Sequence, residues 1–191
     1  MNKNPTFTIY TGPMFGSKTT RLIADIDRLK YKKKTVLVLK PSIDKRYDNN
    51  FITSHSSIRV PAFCVDSGSQ ITDLVENTFG LNEKITIAVD EAFMIQDIDV
   101  CLIDLYKKGH SIIISTIQLD ANEIPFDNIK NLMPFATKIE VCPAVCTMCD
   151  SDAYFTAALF EMSGTSQEDR LGSNDKYEPR CFKHYKFYEQ T

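Results

Sequence analysis

The sequence predicts an α/β protein with a mainly parallel sheet, followed by a small cysteine-bearing unit at the C-terminal end. Three observations carry this. Apolar runs at residues 7–10, 35–40, 85–89 and 111–116 alternate with stretches of helical period, the pattern of βαβ units in a sheet covered on both faces. The chain has 191 residues, 43% hydrophobic and 25% charged, enough for one ordinary domain with a small appendage. Four of the six cysteines lie between Cys142 and Cys181, and clustered cysteines in a chain large enough to build its own core favour a metal before disulfides.

Taken in order, Phe7-Thr8-Ile9-Tyr10 reads as a strand and residues 11–17 as a turn. Leu22, Ile23, Ile26 and Leu29 then fall on one face of a helix over residues 18–33. TVLVLK (residues 35–40) is a buried strand closed by Pro41, residues 71–79 a helix, and ITIAV (85–89) a second buried strand. Residues 98–108 form a helix stopped by Gly109, and SIIIST (111–116) is another apolar strand. Residues 163–174 are polar and loop-like. Residues 1–138 carry 17 basic and 16 acidic side chains, net +1, whereas residues 139–191 carry 5 and 9, net −4. With the cysteine clustering, this divides the chain into units 1–138 and 139–191.

No apolar run reaches the roughly 18 residues of a membrane span, and the first residues lack the layout of a signal peptide, so a cytoplasmic protein is expected. A net charge of −3 gives no broad basic surface for nucleic acid or anionic lipid.

Between the first strand and the first helix stands Gly12-Pro13-Met14-Phe15-Gly16-Ser17-Lys18-Thr19. A phosphate-binding loop needs glycines that let backbone N–H groups turn inward, a lysine for the β- and γ-phosphates, and a hydroxyl for Mg²⁺, while the helix N-terminus adds a favourable dipole. The strict pattern is broken because Ser17 occupies the second glycine's place and Gly16 precedes it. A non-glycine residue held at positive φ there costs on the order of 1–2 kcal/mol. A ligand-free strand-to-helix turn would use the same glycines. What favours phosphate is the strand at 85–89, which ends in Asp90-Glu91, because ligands of open α/β sheets bind beyond such tips. Asp90 can organise Mg²⁺ through water and Glu91 can accept a proton.

Cys146-x2-Cys149, then Cys181-x2-His184, gives two knuckles that suit a closed, structural tetrahedral Zn²⁺. Cys64, Cys101 and Cys142 have no partner spacing and read as ordinary thiols, Cys142 as a spectator. His110, at a helix end, suits the dipole there and is given no function. The run Lys30-Tyr31-Lys32-Lys33-Lys34 reads as a solvated cluster at a helix C-terminus. Phe182, Tyr185, Phe187 and Tyr188 are expected to pack around the ribbon or at a subunit contact.

The succession GPMFGSKTT, LKPSIDKRY, VDEA and a late Cys/His ribbon resembles the thymidine kinase family of the compact cytosolic, bacterial and viral type, over nearly the whole chain. GPMF with Lys-Thr-Thr, the pair Asp44 and Arg46, and the segment 174–185 carry the resemblance most specifically. It implies a RecA-like P-loop domain with a zinc-bearing lasso, and transfer of a phosphoryl group from ATP to the 5′-hydroxyl of a deoxyribonucleoside. By position, Gly12, Gly16, Ser17, Lys18 and Thr19 would hold the triphosphate and Mg²⁺, with Asp90 assisting. Glu91 would be the general base and Arg46 a partner of the transferring group. Met14, Asp44, Met94, Phe126 and Tyr177 would contact the nucleoside, and lasso backbone near residues 167–172 would read the base edge. His55 reads equally as a substrate contact, by the resemblance, or as a surface or turn histidine. A homotetramer is also implied.

The chain departs from the family pattern at five places, some of them two residues long. Gly16-Ser17 inverts the serine–glycine order. The family's DEAQF or DEGQF becomes DEAFM, placing Phe93 and Met94 where glutamine and phenylalanine are usual. Ala121 stands for an aromatic, Ala158 for an arginine, and Gly172-Ser173 for paired glycines. Together they imply a shifted base preference or weakened catalysis. A nucleotide-binding relative acting as a binding or regulatory protein is therefore the alternative. A DNA-directed zinc-ribbon ATPase is disfavoured by the acidic ribbon.

Overall fold

The computed structural model describes residues 4–44, 50–54, 57–80, 83–159 and 176–185. Phe7–Thr11 (β1) leads through the turn at 12–17 into Lys18–Tyr31 (α1), and Val36–Pro41 (β2) follows. A small hairpin, Phe51–Thr53 (β3) and Arg59–Pro61 (β4), precedes Phe63–Val65 (β5) and Gly68–Phe79 (α2). Then come Thr86–Val89 (β6), Ile98–Lys107 (α3), Ser111–Ser115 (β7), Asp127–Leu132 (α4) and Lys138–Val141 (β8). The remainder is Ala144–Val145 (β9), Asp152–Ala153 (β10), Phe155–Ala158 (β11) and Tyr177–Arg180 (β12).

Six strands form one sheet in the order β5-β2-β6-β7-β1-β8, with every pairing parallel. The continuous apolar runs arise because both faces are covered. Leu37, Leu39, Ile87, Val89, Ile112 and Ile114 point into a core closed by α2, α3 and α4. The alternate residues Val38, Ala88 and Ile113 meet Leu22, Ile23 and Ile26 of α1, together with Ile52 and Val60 of the β3–β4 hairpin. The predicted α/β class with a mainly parallel sheet is thus found.

The predicted helix at 71–79 begins three residues earlier, at Gly68. A Cβ at Gly68 would lie 2.6 Å from the Asp97 carbonyl and 2.7 Å from the Cys101 Cβ, so glycine lets α2 close on the start of α3. The lysine run after α1 is exposed as expected, the helix unwinding through Lys33 at φ 53°. His110, just beyond the end of α3, is 3% exposed, and its Nδ1 accepts from the Ile85 N–H at 3.4 Å. Burial first, then the Lys84 and Lys108 charges, hold its pKa below the ordinary histidine value.

The change in charge near Ile139 falls inside β8, which pairs with β1 through Thr8–Lys138 to Thr11–Val141. The chain then crosses into two small antiparallel pairs, β9–β10 and β11–β12. Arg46, His55, the polar segment 163–174 with its Gly172-Ser173 pair, and the tail residues Phe187 and Tyr188 lie outside the described residues. Among the described residues no helix is long and apolar enough to cross a membrane.

Candidate active site and metal centre

The turn between β1 and α1 is a tight backbone cradle. Ser17 caps α1 at φ 57° and ψ 24°, in the left-handed region, and its side chain makes no capping hydrogen bond. Phe15 is also left-handed, at φ 65°. Gly16 has a different reason for being glycine. A Cβ there would stand 2.4 Å from the Cys142 carbonyl oxygen, and one at Gly12, which has φ 135°, would stand 2.3 Å from the same atom. Both glycines therefore let the turn lie on the backbone just beyond β8. Cys142 is fixed there by its own N–H, which donates to the Thr11 carbonyl at 2.7 Å. Its thiol is buried in the core beneath α1, and its carbonyl is the floor of the turn.

Lys18, the first residue of α1, is 7% exposed, and its Nζ donates to the Pro13 carbonyl at 2.5 Å. The ammonium arches back over the turn that precedes it. One residue on, the Thr19 hydroxyl donates to Asp90 at 3.0 Å to Oδ1 and 3.3 Å to Oδ2. Asp90 is 5% exposed and also accepts a hydrogen bond from the Ser115 hydroxyl. Thus α1, β6 and β7 are tied at the carboxyl edge of the sheet through one carboxylate. Asp90 and the turn after β1 lie on strands separated only by β7. Glu91 follows at φ 49° and ψ 46°, a left-handed residue that turns the chain off β6 into a short 3-10 turn, Ala92–Met94.

Asp44 is buried in the turn after β2, the strand next to β6, so it shares that sheet edge. Met14 is half-buried, and its N–H donates to the Thr156 hydroxyl of β11 at 3.2 Å. Phe126 lies in the core with its ring 4.7 Å from that of Phe93 at 52°, and Met94 packs against the same core. Tyr177 is buried on β12, opposite Ala158.

A small, partly open hollow lies beside Gly12 and Pro13, bordered by Gln118, Leu119 and Asp120 after β7, and by Phe155, Thr156 and Tyr185 of the C-terminal unit. Of the residues assigned from sequence, only Gly12 lines it. Sequence reasoning missed Ser115, Gln118, Thr156, Tyr185 and the Cys142 carbonyl. Ser115 carried a signal, since a hydroxyl pair ends the apolar run SIIIST just as two acids end ITIAV. Gln118, which accepts from the Thr11 hydroxyl, and Thr156 carried none.

The second cluster is the cysteine and histidine set. Cys149 and Cys181 sulfurs are 3.8 Å apart, and His184 Nδ1 is 3.3 Å from Cys181 Sγ and 3.7 Å from Cys146 Sγ. All four ligand atoms lie within 4.8 Å of one another. A tetrahedron with Zn–S bonds of about 2.3 Å has edges of about 3.8 Å, so the three separations above are close to those that Zn²⁺ requires. Burial opposes ionisation of the Cys146 thiol, but the Cys181 and Met148 N–H groups and the His184 ring outweigh it and hold its pKa at about 6. An anionic thiolate is what a zinc ligand must supply. Around this set the guanidinium of Arg180 binds both Glu178 and Thr147, bracing β12 against the first knuckle.

A model of the family described as thymidine kinase matches residues 6–185 of this chain. Similar curated proteins include thymidine kinases of Mesomycoplasma hyopneumoniae strains 7448, J and 232. Each is 33% identical over 174 residues, which is 91% of this chain and 91% of the relative.

Proposed function

We propose, from the premise that this chain belongs to the thymidine kinase family, that it transfers the γ-phosphoryl group of ATP to the 5′-hydroxyl of thymidine or a closely related deoxyribonucleoside. Membership makes it a nucleoside-phosphorylating enzyme of the deoxynucleoside kinase type. The observation that carries the finer reading is the hydrogen bond from Thr19 to Asp90, which joins the glycine-bearing turn to the acidic tip of β6.

Phosphoryl transfer asks a protein mainly for alignment and charge neutralisation. In this reading the inward N–H groups of residues 12–19 cradle the triphosphate. The Lys18 ammonium, which now bonds the Pro13 carbonyl, exchanges that partner for phosphate oxygens. Glu91 takes the proton from the 5′-hydroxyl, and Arg46 neutralises the transferring group. Thr19 and Asp90 are the residues that would hold Mg²⁺, which when bound with ATP neutralises charge on the β- and γ-phosphates. The cysteine set would hold Zn²⁺ as a structural staple. Asp44, Met14, Met94, Phe126 and Tyr177 are assigned to the nucleoside side. Units 1–138 and 139–191, and assembly as a homotetramer, complete the proposal.

The test is a transfer assay with labelled ATP, Mg²⁺ and a panel of natural and modified nucleosides. A 5′-monophosphate is expected with thymidine or a near relative, and Glu91→Gln should lower kcat by roughly 10²–10⁴. ATP binding with no product from any nucleoside would mark a binding or regulatory protein instead.

A further inference from the structure

We infer that Tyr185 is a positioning residue for the nucleoside, a strut carrying the order of the metal-binding knuckle into the loop that walls the hollow. The inference rests on the kinase reading for its substrate but on geometry alone for the strut. Tyr185 follows the ligand His184 directly, so fixing the His184 imidazole fixes the start of its side chain. Its ring stacks on Phe155 of β11, centroids 4.9 Å apart and planes 26° apart. Its hydroxyl donates to the Ala121 carbonyl at 3.3 Å. The side chain is 3% exposed, so the hydroxyl that donates to Ala121 is shut off from solvent.

The segment it reaches is a defined turn. The Asp120 carboxylate accepts the N–H groups of Asn122 and Ile124, each at 2.9 Å, and Glu123 N–H donates to the Asp120 carbonyl at 3.1 Å. Gln118, Leu119 and Asp120, just before this turn, line the hollow opposite Thr156. Thr156, from the strand Tyr185 packs on, also accepts the Met14 N–H at 3.2 Å. The C-terminal unit therefore holds both walls, the phosphate-loop side through Thr156 and the post-β7 side through Tyr185. The Tyr185 hydroxyl meets Ala121, in a segment that contributes none of the residues assigned to the triphosphate, so its loss is expected to act on nucleoside affinity and to spare ATP.

Tyr185→Phe keeps the stacked ring and removes only the hydroxyl. In the zinc-loaded enzyme it should raise the KM for nucleoside about three- to tenfold while kcat and the KM for ATP stay within about twofold, the scale of one lost hydrogen bond. Without any substrate, amide hydrogen exchange at Asn122, Glu123 and Ile124 should quicken in Tyr185→Phe. Stripping zinc from the wild type should quicken the same amides, and stripping it from the variant should add little. Zinc content of the variant should remain that of the wild type. Unchanged exchange at these amides in Tyr185→Phe, or a fall in kcat without a change in nucleoside KM, overturns the inference. If wild type phosphorylates no nucleoside, the kinase reading fails, and the exchange result alone then upholds or overturns the strut.

Discussion

Ser17 holds a conformation that most residues avoid, at φ 57°, and its exposed side chain returns no capping hydrogen bond. The left-handed cost, less the entropy that glycine adds to the unfolded chain, leaves about 0.5–1 kcal/mol to be gained from Ser17→Gly, or roughly 1–3 °C in Tm. Thermal unfolding checks this, and an unchanged or lower Tm would mean that the serine is compensated elsewhere. Gly16 behaves oppositely. Gly16→Ala drives a Cβ to 2.4 Å from one backbone carbonyl and 3.2 Å from another, and neither can yield without moving β8 or the turn. It should cost about 1–3 kcal/mol of stability and weaken ATP binding at least about tenfold by calorimetry. His110 supplies a pH signature. Its folded pKa lies below the unfolded value of 6.5, so the folded state binds fewer protons. That stabilisation is complete above the unfolded value and is lost as pH falls below it. His110→Gln should therefore flatten the decline of unfolding free energy between about pH 7 and 5 relative to wild type, and parallel curves would remove the assignment.

At the level of elements, legibility followed burial. The strands read from sequence are those covered on both faces, where successive apolar residues supply opposite cores and period alone suffices, as in Ile112, Ile113 and Ile114. The short β3, β4 and β5 escaped because three residues give no period, and β5 exposes Phe63 and Cys64. β8 escaped because it is a sheet edge whose apolar residues Ile139 and Val141 face solvent. The site divided in the same way. The glycine-bearing turn and the Asp90-Glu91 tip were legible because each sits at the end of a recognisable strand. Cys142 was not, because it acts through a backbone carbonyl that any residue owns. The three-dimensional reason for Gly16 is likewise a close approach from residue 142, which no local pattern reveals.

Across the whole molecule, two devices brace the hollow, the sheet edge on one side and the Cys/His knuckles on the other. The Cys/His cluster was legible, since its two paired spacings are specific, and the structure brings its candidate ligand atoms within 4.8 Å of one another. One equivalent of zinc per chain is expected by metal analysis, with loss of bound metal and a lowered Tm in Cys181→Ser. A metal-free wild type would contradict the staple. What was not legible is how the knuckles reach the site, because the Tyr185–Ala121 and Thr156–Met14 contacts join residues 64 and 142 positions apart. In the proposed function, residues 12–19 wrap the tail of a nucleotide and aim it at Glu91. The decisive experiment is a co-crystal with thymidine and a non-hydrolysable ATP analogue. The expected result is the γ-phosphate in the cradle, Lys18 released from the Pro13 carbonyl onto phosphate oxygens, and the Glu91 carboxylate within hydrogen-bond reach of the 5′-hydroxyl. A triphosphate bound elsewhere, or Glu91 turned away from the nucleoside, would contradict it.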